Sequence, residues 1–366
     1  MNRAHGHLTK DQNMFDASRW KVVALLMSSL MLAACGLSDD EAGTAIDSVK
    51  IANKVDVPAG TKLVVAEQNA TQSLPWNLAN AGQGAPYSVE FADFSGGSAV
   101  IEALRSGAAD IGSIGEAPVP IAVDSGVTDL VTIGLQANPG TSGGYFLVAK
   151  PGGVTKIEDL RGKRVAYPPG SGRHMITAAL LKQHGLDLKT DVQPVELAGT
   201  EVVPTFAAGA VDAAIVLGNQ YYQLGSPLIL GDGTGINTGI QSLIVRKEIL
   251  DDPVKAAAIG DYVGRAIAAN NWKDSHADQW INEYYVKQQG ITADQGKKLY
   301  DEDGLAAYYP IDPASTALFQ SVADGLYGTG TTKTHVDLKP YVDGRYNDIV
   351  KAQNELDGVT PKPINS

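Results

Sequence analysis

Beyond Thr61 the chain alternates short runs of β-branched and apolar residues with segments whose apolar positions recur at helical spacing. The runs at 62–66, 87–91, 110–113, 130–135, 145–149, 164–167, 192–197, 213–216 and 242–245 predict strands. Between them, 98–105 puts Val100, Ile101 and Leu104 on one helical face, and 175–183 is a second helical segment. Such alternation predicts an α/β fold with mostly parallel sheets. After Arg246 the pattern turns mainly helical. Pro253 suits a first helical turn, and helical segments at 277–289, 292–300, 313–326 and 345–355 follow.

The pattern also repeats itself. Val89-Glu90-Phe91-Ala92 leads into a Gly/Ser loop, a helix and then Ser106-Gly107-Ala108-Ala109-Asp110-Ile111-Gly112. Val195-Glu196-Leu197-Ala198 leads into Gly199-Thr200, a helix and then Ala208-Gly209-Ala210-Val211-Asp212-Ala213-Ala214. Both units read strand, polar turn, helix, glycine turn, Asp, strand. Two lobes built alike are expected, with a cleft faced by the same kind of loop from each side.

Before this alternation begins, the pattern is of another kind. Val22 to Ala34 is an uncharged, mostly apolar run preceded by Arg19 and Lys21. Its 13 residues suit the apolar region of an export signal and fall short of the ~20 needed to span a membrane. It ends in Leu32-Ala33-Ala34-Cys35-Gly36, and Cys35 is the single cysteine of the chain. One cysteine excludes a disulfide framework and a cysteine-based zinc site. The polar, small residues that follow Cys35 suit a flexible tether. With 41 acidic against 29 basic residues, the formal charge is -12, which argues against a nucleic-acid surface. The 40 glycines among 366 residues imply many tight turns and close backbone approaches.

Chemistry is sought in the loops, because ligands of open α/β sheets sit beyond the carboxyl ends of the strands. A helix that begins there offers free N–H groups and partial positive charge to an anion. Gln68 and Asn69 follow the first strand. Ser95, Gly96, Gly97 and Ser98 follow the second and open a helix. Here the serines are either helix caps or ligand donors, and the paired glycines favour close ligand approach. Ser171, Gly172, Arg173 and His174 open the 175–183 helix, with Arg173 as a fixed cation of bidentate geometry. Ser171 reads equally as a plain cap, and His174 as a satisfied structural residue. Glu116 is an acid beside a would-be anion site, so it is either turned away or set to meet a ligand ammonium group. Thr200 and Asn219 complete the candidate set, and Trp76 or Tyr221 is a candidate to stack on an aromatic ligand. No G-x-S-x-G, H-E-x-x-H or phosphate-loop lysine motif occurs. No catalytic residue, metal site or cofactor is therefore assigned. The glycines between Gly231 and Gly239 read as a turn.

Several of these segments together resemble the solute-binding lipoproteins of ABC importers, in the sulfonate/nitrate/taurine branch. They are Asp93 to Ser98, Glu102 to Gly112, Gly115-Glu116-Ala117-Pro118, Lys156 to Ala166, Gly170 to His174, and Tyr341 to Tyr346. The sequence around Cys35 similarly resembles a bacterial lipobox, in which the cysteine is lipidated. The resemblance implies a two-lobed, periplasmic-binding-protein type II-like fold that closes on a ligand in the cleft. It further implies a signal peptide at 1–34, a lipidated tether at 35–60 and a first part of lobe 1 at 61–150. Lobe 2 is then expected at 151–245, and 246–366 is expected to return to lobe 1, with crossings near 149–154 and 244–247. The implied protein is an extracytoplasmic, lipid-anchored monomer that delivers a small anionic ligand, an aliphatic sulfonate or taurine, to a permease and its ATPase. Nitrate, bicarbonate, an aromatic sulfonate, a thiamine precursor, or a role as a ligand sensor for a membrane receptor remain alternatives. Relatives that catalyse desulfination use a cysteine, and Cys35 lies outside the expected fold.

Overall fold

The computed structural model describes residues 48–138 and 141–364. The expected signal segment and Cys35 lie outside the described residues. Eleven strands are described: β1 Lys62–Glu67, β2 Ser88–Asp93, β3 Ile111–Gly115, β4 Leu130–Ala137, β5 Tyr145–Ala149 and β6 Arg164–Tyr167. They continue with β7 Gln193–Glu196, β8 Ala213–Leu217, β9 Leu228–Asp232, β10 Gln241–Arg246 and β11 Ala307–Tyr309. The α-helices of the first half are α1 Ser73–Leu78, α2 Gly97–Arg105, α3 Pro118–Asp124, α4 Gly172–Gln183 and α5 Val202–Ala207. Those of the second half are α6 Gly218–Gln223, α7 Pro253–Ser275, α8 Ala277–Trp280, α9 Ala293–Asp303, α10 Pro313–Gly328 and α11 Asn347–Leu356. Among the described residues, no helix is long and apolar enough to cross a membrane.

The strands form two sheets, ordered β2-β1-β3-β10-β4-β11 and β7-β6-β8-β5-β9. The two orders match position by position, with β11 added at the end of the first. In each sheet the first three strands are parallel, as strand–helix–strand units require, and the remaining pairings are antiparallel. The sheets are therefore mixed rather than mostly parallel. Strand direction is set by where the chain arrives from, which residue pattern does not record.

The repeat seen in the sequence has a structural counterpart in Asp110 and Asp212. Each stands just before the third strand of its parallel set. Asp110 Oδ2 accepts the backbone N–H of Val64 in β1 at 2.9 Å, and Asp212 Oδ2 accepts that of Arg164 in β6 at 2.9 Å. Each is also paired with a lysine, Lys255 at 3.0 Å and Lys150 at 2.5 Å.

The chain changes sheet earlier than expected. β5 already belongs to the second sheet and β10 already to the first. The connections therefore lie between Ala137 and Tyr145 and between Asp232 and Gln241, not near 149–154 and 244–247. The two connections pack tightly together. A Cβ on Gly233 would lie 2.2 Å from the Ser142 carbonyl oxygen, and one on Gly239, whose φ is +66°, would lie 2.7 Å from that of Asn138. Only glycine fits such a backbone-to-backbone approach.

Alternation along the strands separates the core into faces. Leu63 and Val65 face the layer of α7, with Ile259, Tyr262 and Val263, while Val64 packs on the opposite face. In the second sheet Ala213 and Ile215 face α4, whereas Ala214 and Val216 face Val202, Phe206 and Leu299. Helix α7 is capped by Asp252, whose side chain accepts from Val254 N and Lys255 N, with Pro253 in its first turn. Within it a buried Arg265–Asp261 pair, 2.5 Å apart, also holds the Tyr87 hydroxyl at 2.9 Å and the carbonyls of Ala81 and Gln83. These bonds fix the Asn/Gln-rich loop that carries Trp76. Trp76 is buried, stacked on Tyr262 at 5.3 Å and edge-on to Phe91, so it is a core residue and not a ligand platform.

Candidate ligand-binding site

A cleft of about 780 Å³ lies where the carboxyl ends of both parallel sets meet. The loops after β1, β2 and β3 line one wall, and those after β6, β7 and β8 line the other. Of the expected residues, Gln68, Asn69, Ser95, Gly96, Gly97, Ser98, Ser171, Gly172, Arg173 and Asn219 are brought together there. Glu116, His174 and Thr200 do not line it.

The loop after β1 is shaped by Glu67, which is buried and accepts the N–H groups of Gln72 at 2.7 Å and Ser73 at 3.0 Å. The chain turns through left-handed backbone at Asn69, φ +56°, and Ala70, φ +53°. Alanine rarely adopts that conformation, so the turn is held by its bonds to the scaffold. Gln68 Oε1 is buried without a hydrogen bond among the described residues.

Helix α2 starts at the cleft with Gly96 in the cap position and no side-chain cap. Ser95 and Ser98 are therefore not helix caps, and both residues line the cleft. The adjacent glycines differ in purpose. A Cβ on Gly97 would lie 2.4 Å from Pro118 Cγ, so Gly97 serves the packing of α2 on α3, while Gly96 has nothing within 4 Å and borders open space. Helix α4 starts across the cleft. Ser171 is its cap, accepting from His174 N at 3.3 Å and donating to the Pro168 carbonyl at 2.7 Å. The two helix starts are close: a Cβ on Gly170 would be 3.5 Å from Ser98 Oγ. The first N–H groups of both helices lack intrahelical acceptors, so two partial positive charges converge on one space.

Arg173 supplies a full charge there. Its Nη1 reaches Gln220 Oε1 at 3.4 Å, and a Cβ on Gly199 would lie 2.5 Å from its Nη2. Among the described residues no carboxylate acts on it; burial pulls its guanidinium below the ordinary arginine value, opposed by Tyr145. A half-buried cation without a counter-charge, between two helix starts, is suited to receive an anion.

Of the three expected residues outside the wall, His174 and Glu116 are engaged elsewhere and Thr200 faces solvent. His174 stacks on Tyr167 at 4.7 Å, its Nδ1 accepts from Gly170 N at 3.4 Å, and burial lowers its pKa. Thr200 is exposed beyond the loop after β7. Glu116 is 2% exposed, and its Oε2 accepts both the backbone N–H and the hydroxyl of Thr238. Its side chain is thus folded into the protein behind Gly172.

Sequence reasoning missed Tyr145, Glu196, Tyr284, Tyr285, Leu299 and Asp303, all of which line the cleft. Four of them come from the segment between α8 and the end of α9. There 281–288 is a π-helix rather than a continuation of α8. Tyr284 is stacked on Trp280 at 4.6 Å and stands edge-on to Tyr285 at 5.0 Å. Gly296 leaves room for Tyr285, since a Cβ there would lie 2.6 Å from Tyr285 Cβ. Asn219 is tied to the same segment by a 2.5 Å bond to Gln289 Oε1. The paired tyrosines were a visible signal, but nothing local links them to a cleft built by other strands. Tyr221 packs on Phe146 at 5.1 Å and does not line this cleft.

Comparison with known proteins agrees with this architecture. The NMT1/THI5 like family model matches residues 87–295. The chain is 29% identical over 260 residues to the aliphatic sulfonates-binding protein of Escherichia coli, covering 69% of this chain and 78% of the relative. It is 30% identical over 128 residues to the taurine-binding periplasmic protein of the same organism, covering 35% of this chain and 38% of that protein. The solved structure of the alkanesulfonate-binding protein of Xanthomonas axonopodis pv. citri bound to MOPS superposes with a TM-score of 0.69 at 23% identity. The match covers 78% of this chain and 99% of that one. The chain thus belongs to the NMT1/THI5-like family and has the two-lobed α/β fold of the periplasmic binding proteins; the relatives it resembles are solute-binding proteins.

Proposed function

We propose that the protein captures a small organic anion, an aliphatic sulfonate or taurine, outside the cytoplasmic membrane and passes it to an ABC permease and its ATPase. The observation that carries this reading is Arg173, a cation on which no carboxylate among the described residues acts, set between the starts of α2 and α4. The anionic head meets the guanidinium, the free N–H groups and the hydroxyls of Ser95 and Ser98. Because α2 and α4 belong to different sheets, these contacts are complete only when the lobes are closed, so the ligand stabilises the closed state. Lipidation at Cys35 anchors the protein, and a monomer leaves both lobes free to move.

The test is a thermal-shift and calorimetric screen of the soluble body from Gly36 onward. The compounds are taurine, alkane- and arylsulfonates, MOPS, sulfate, nitrate and bicarbonate. Ligand at a hundredfold excess over its Kd adds about 2.7 kcal/mol, a shift of several degrees for a protein of this size. A sulfonate that shifts the native protein but not Arg173→Ala supports the reading. A shift with nitrate and none with any sulfonate overturns it.

A further inference from the structure

We propose that Asp303 is a specificity residue of the cleft: it receives a cationic group carried on the tail of the bound anion, and so selects amino-substituted ligands over plain ones. This rests on the reading of the cleft as an anion site at Arg173. Asp303 is the last residue of α9 and lines the cleft with Tyr285 and Leu299. Its backbone is fixed by Asn138, whose amide donates to the Asp303 carbonyl. Its Oδ2 faces the backbone of Gly144, where a Cβ would lie 3.2 Å away. Oδ1 is buried and takes no hydrogen bond among the described residues.

The surroundings do not neutralise this carboxyl. Among the described residues, the charged side chain acting on it is Glu302, another acid, and no cation offsets it. Burial and that acid push it up to about 6, although the Gly144 N–H and the Ser142 hydroxyl oppose the shift, so at neutral pH it still carries charge at a cost. A cation entering the cleft removes the cost. The other acids nearby are placed differently, Glu116 Oε1 being likewise buried without a hydrogen bond among the described residues but behind Gly172 and off the cleft wall. Glu196 Oε1 accepts the Tyr167 hydroxyl at 3.1 Å, and Glu116 is held by Thr238. Arg173, Tyr145 and Asp303 all line the cleft, so it holds both a cation and an acid. A short ligand with an anion at one end and an ammonium at the other satisfies both.

The experiment compares matched pairs by calorimetry on the native protein at pH 7.5. Taurine is set against ethanesulfonate, and β-alanine against propionate, so that a wrong head group and a wrong tail fail in different comparisons. The expected result is that the amino member of at least one pair binds tenfold or more tighter. In Asp303→Asn that preference vanishes: the amino ligand weakens about 10- to 100-fold, while the plain one holds within about twofold. Asp303→Glu restores part of the preference, which a merely structural role would not. The proposal is overturned if neither amino ligand outbinds its plain partner in the native protein. It is also overturned if Asp303→Asn weakens both members equally while keeping the native melting profile. Loss of both members in Arg173→Ala, with the native preference present, tests the head-group reading separately.

Discussion

Glu116, in the loop after β3, holds Thr238, in the connection between β9 and β10, through both its backbone N–H at 3.1 Å and its hydroxyl. The first lobe is thereby tied to one of the two connections between the sheets. Burial pushes the Glu116 carboxyl up to about 7, although the two Thr238 bonds oppose the shift. The titratable group that faces it is Tyr145, itself pushed up to about 12 by burial and by Glu116. The folded protein therefore keeps a proton that the unfolded chain releases near the ordinary value of 4.5. This contribution to stability is complete below that value and is lost as pH rises through about 7. Relative to Glu116→Gln, the native protein should lose stability between pH 5 and 7, by up to about 1.4 kcal/mol per pH unit. Urea denaturation of both proteins across that range checks it, and a pH-independent difference between them would refute it.

Arg173→Ala should weaken anion binding about 10- to 100-fold, the worth of a charge-assisted contact. Ligand-free stability should hold or rise, because a partly buried cation without a counter-charge is removed. Gly199→Ala should act in the same direction but less, since its Cβ would displace the guanidinium at 2.5 Å. Calorimetric titration beside thermal melts of the ligand-free proteins separates binding from folding.

Gly96 and Gly97 should respond differently to alanine. At Gly97 the new Cβ meets Pro118 at 2.4 and 2.9 Å, and overpacking of this kind costs about 1–3 kcal/mol. Gly96 has extended backbone and open space, so its alanine variant should fold normally and report only on the ligand. Equal losses of stability in the two variants would contradict this assignment.

Asp110→Asn and Asp212→Asn should each lower stability, and by similar amounts, about 1–3 kcal/mol. In both, a carboxylate that accepts a strand N–H and pairs with a lysine is replaced by an amide. Both side chains are mostly buried, at 14% and 16% exposure, so solvent screens these pairs only in part. Chemical denaturation of the two variants checks whether the parts play matched roles in their lobes.

The repeat was legible because both copies use the same local grammar: a strand, a glycine turn, and an aspartate placed to accept a neighbouring N–H. The loops at 95–98 and 170–174 were legible because a Ser/Gly turn opening a helix is a local feature. The crossings were not, since β5 and β10 look like any other buried strand and their sheet membership depends on distant partners. Trp76 was unreadable for the same reason: its neighbours Tyr262 and Phe91 are far from it in sequence.

By itself, the sequence determined the strand–helix alternation, the doubled unit, the helices opened by the loops at 95–98 and 170–174, and the presence of Arg173 in one of those loops. Each follows from side-chain period and backbone conformation over a few residues. Tertiary structure decided the rest: which strands run antiparallel, that Gly97 serves Pro118, that Glu116 binds Thr238 behind the wall, and that Tyr284, Tyr285 and Asp303 reach the cleft. Those outcomes depend on segments far apart in the chain competing for the same buried space, a contest that local pattern does not encode.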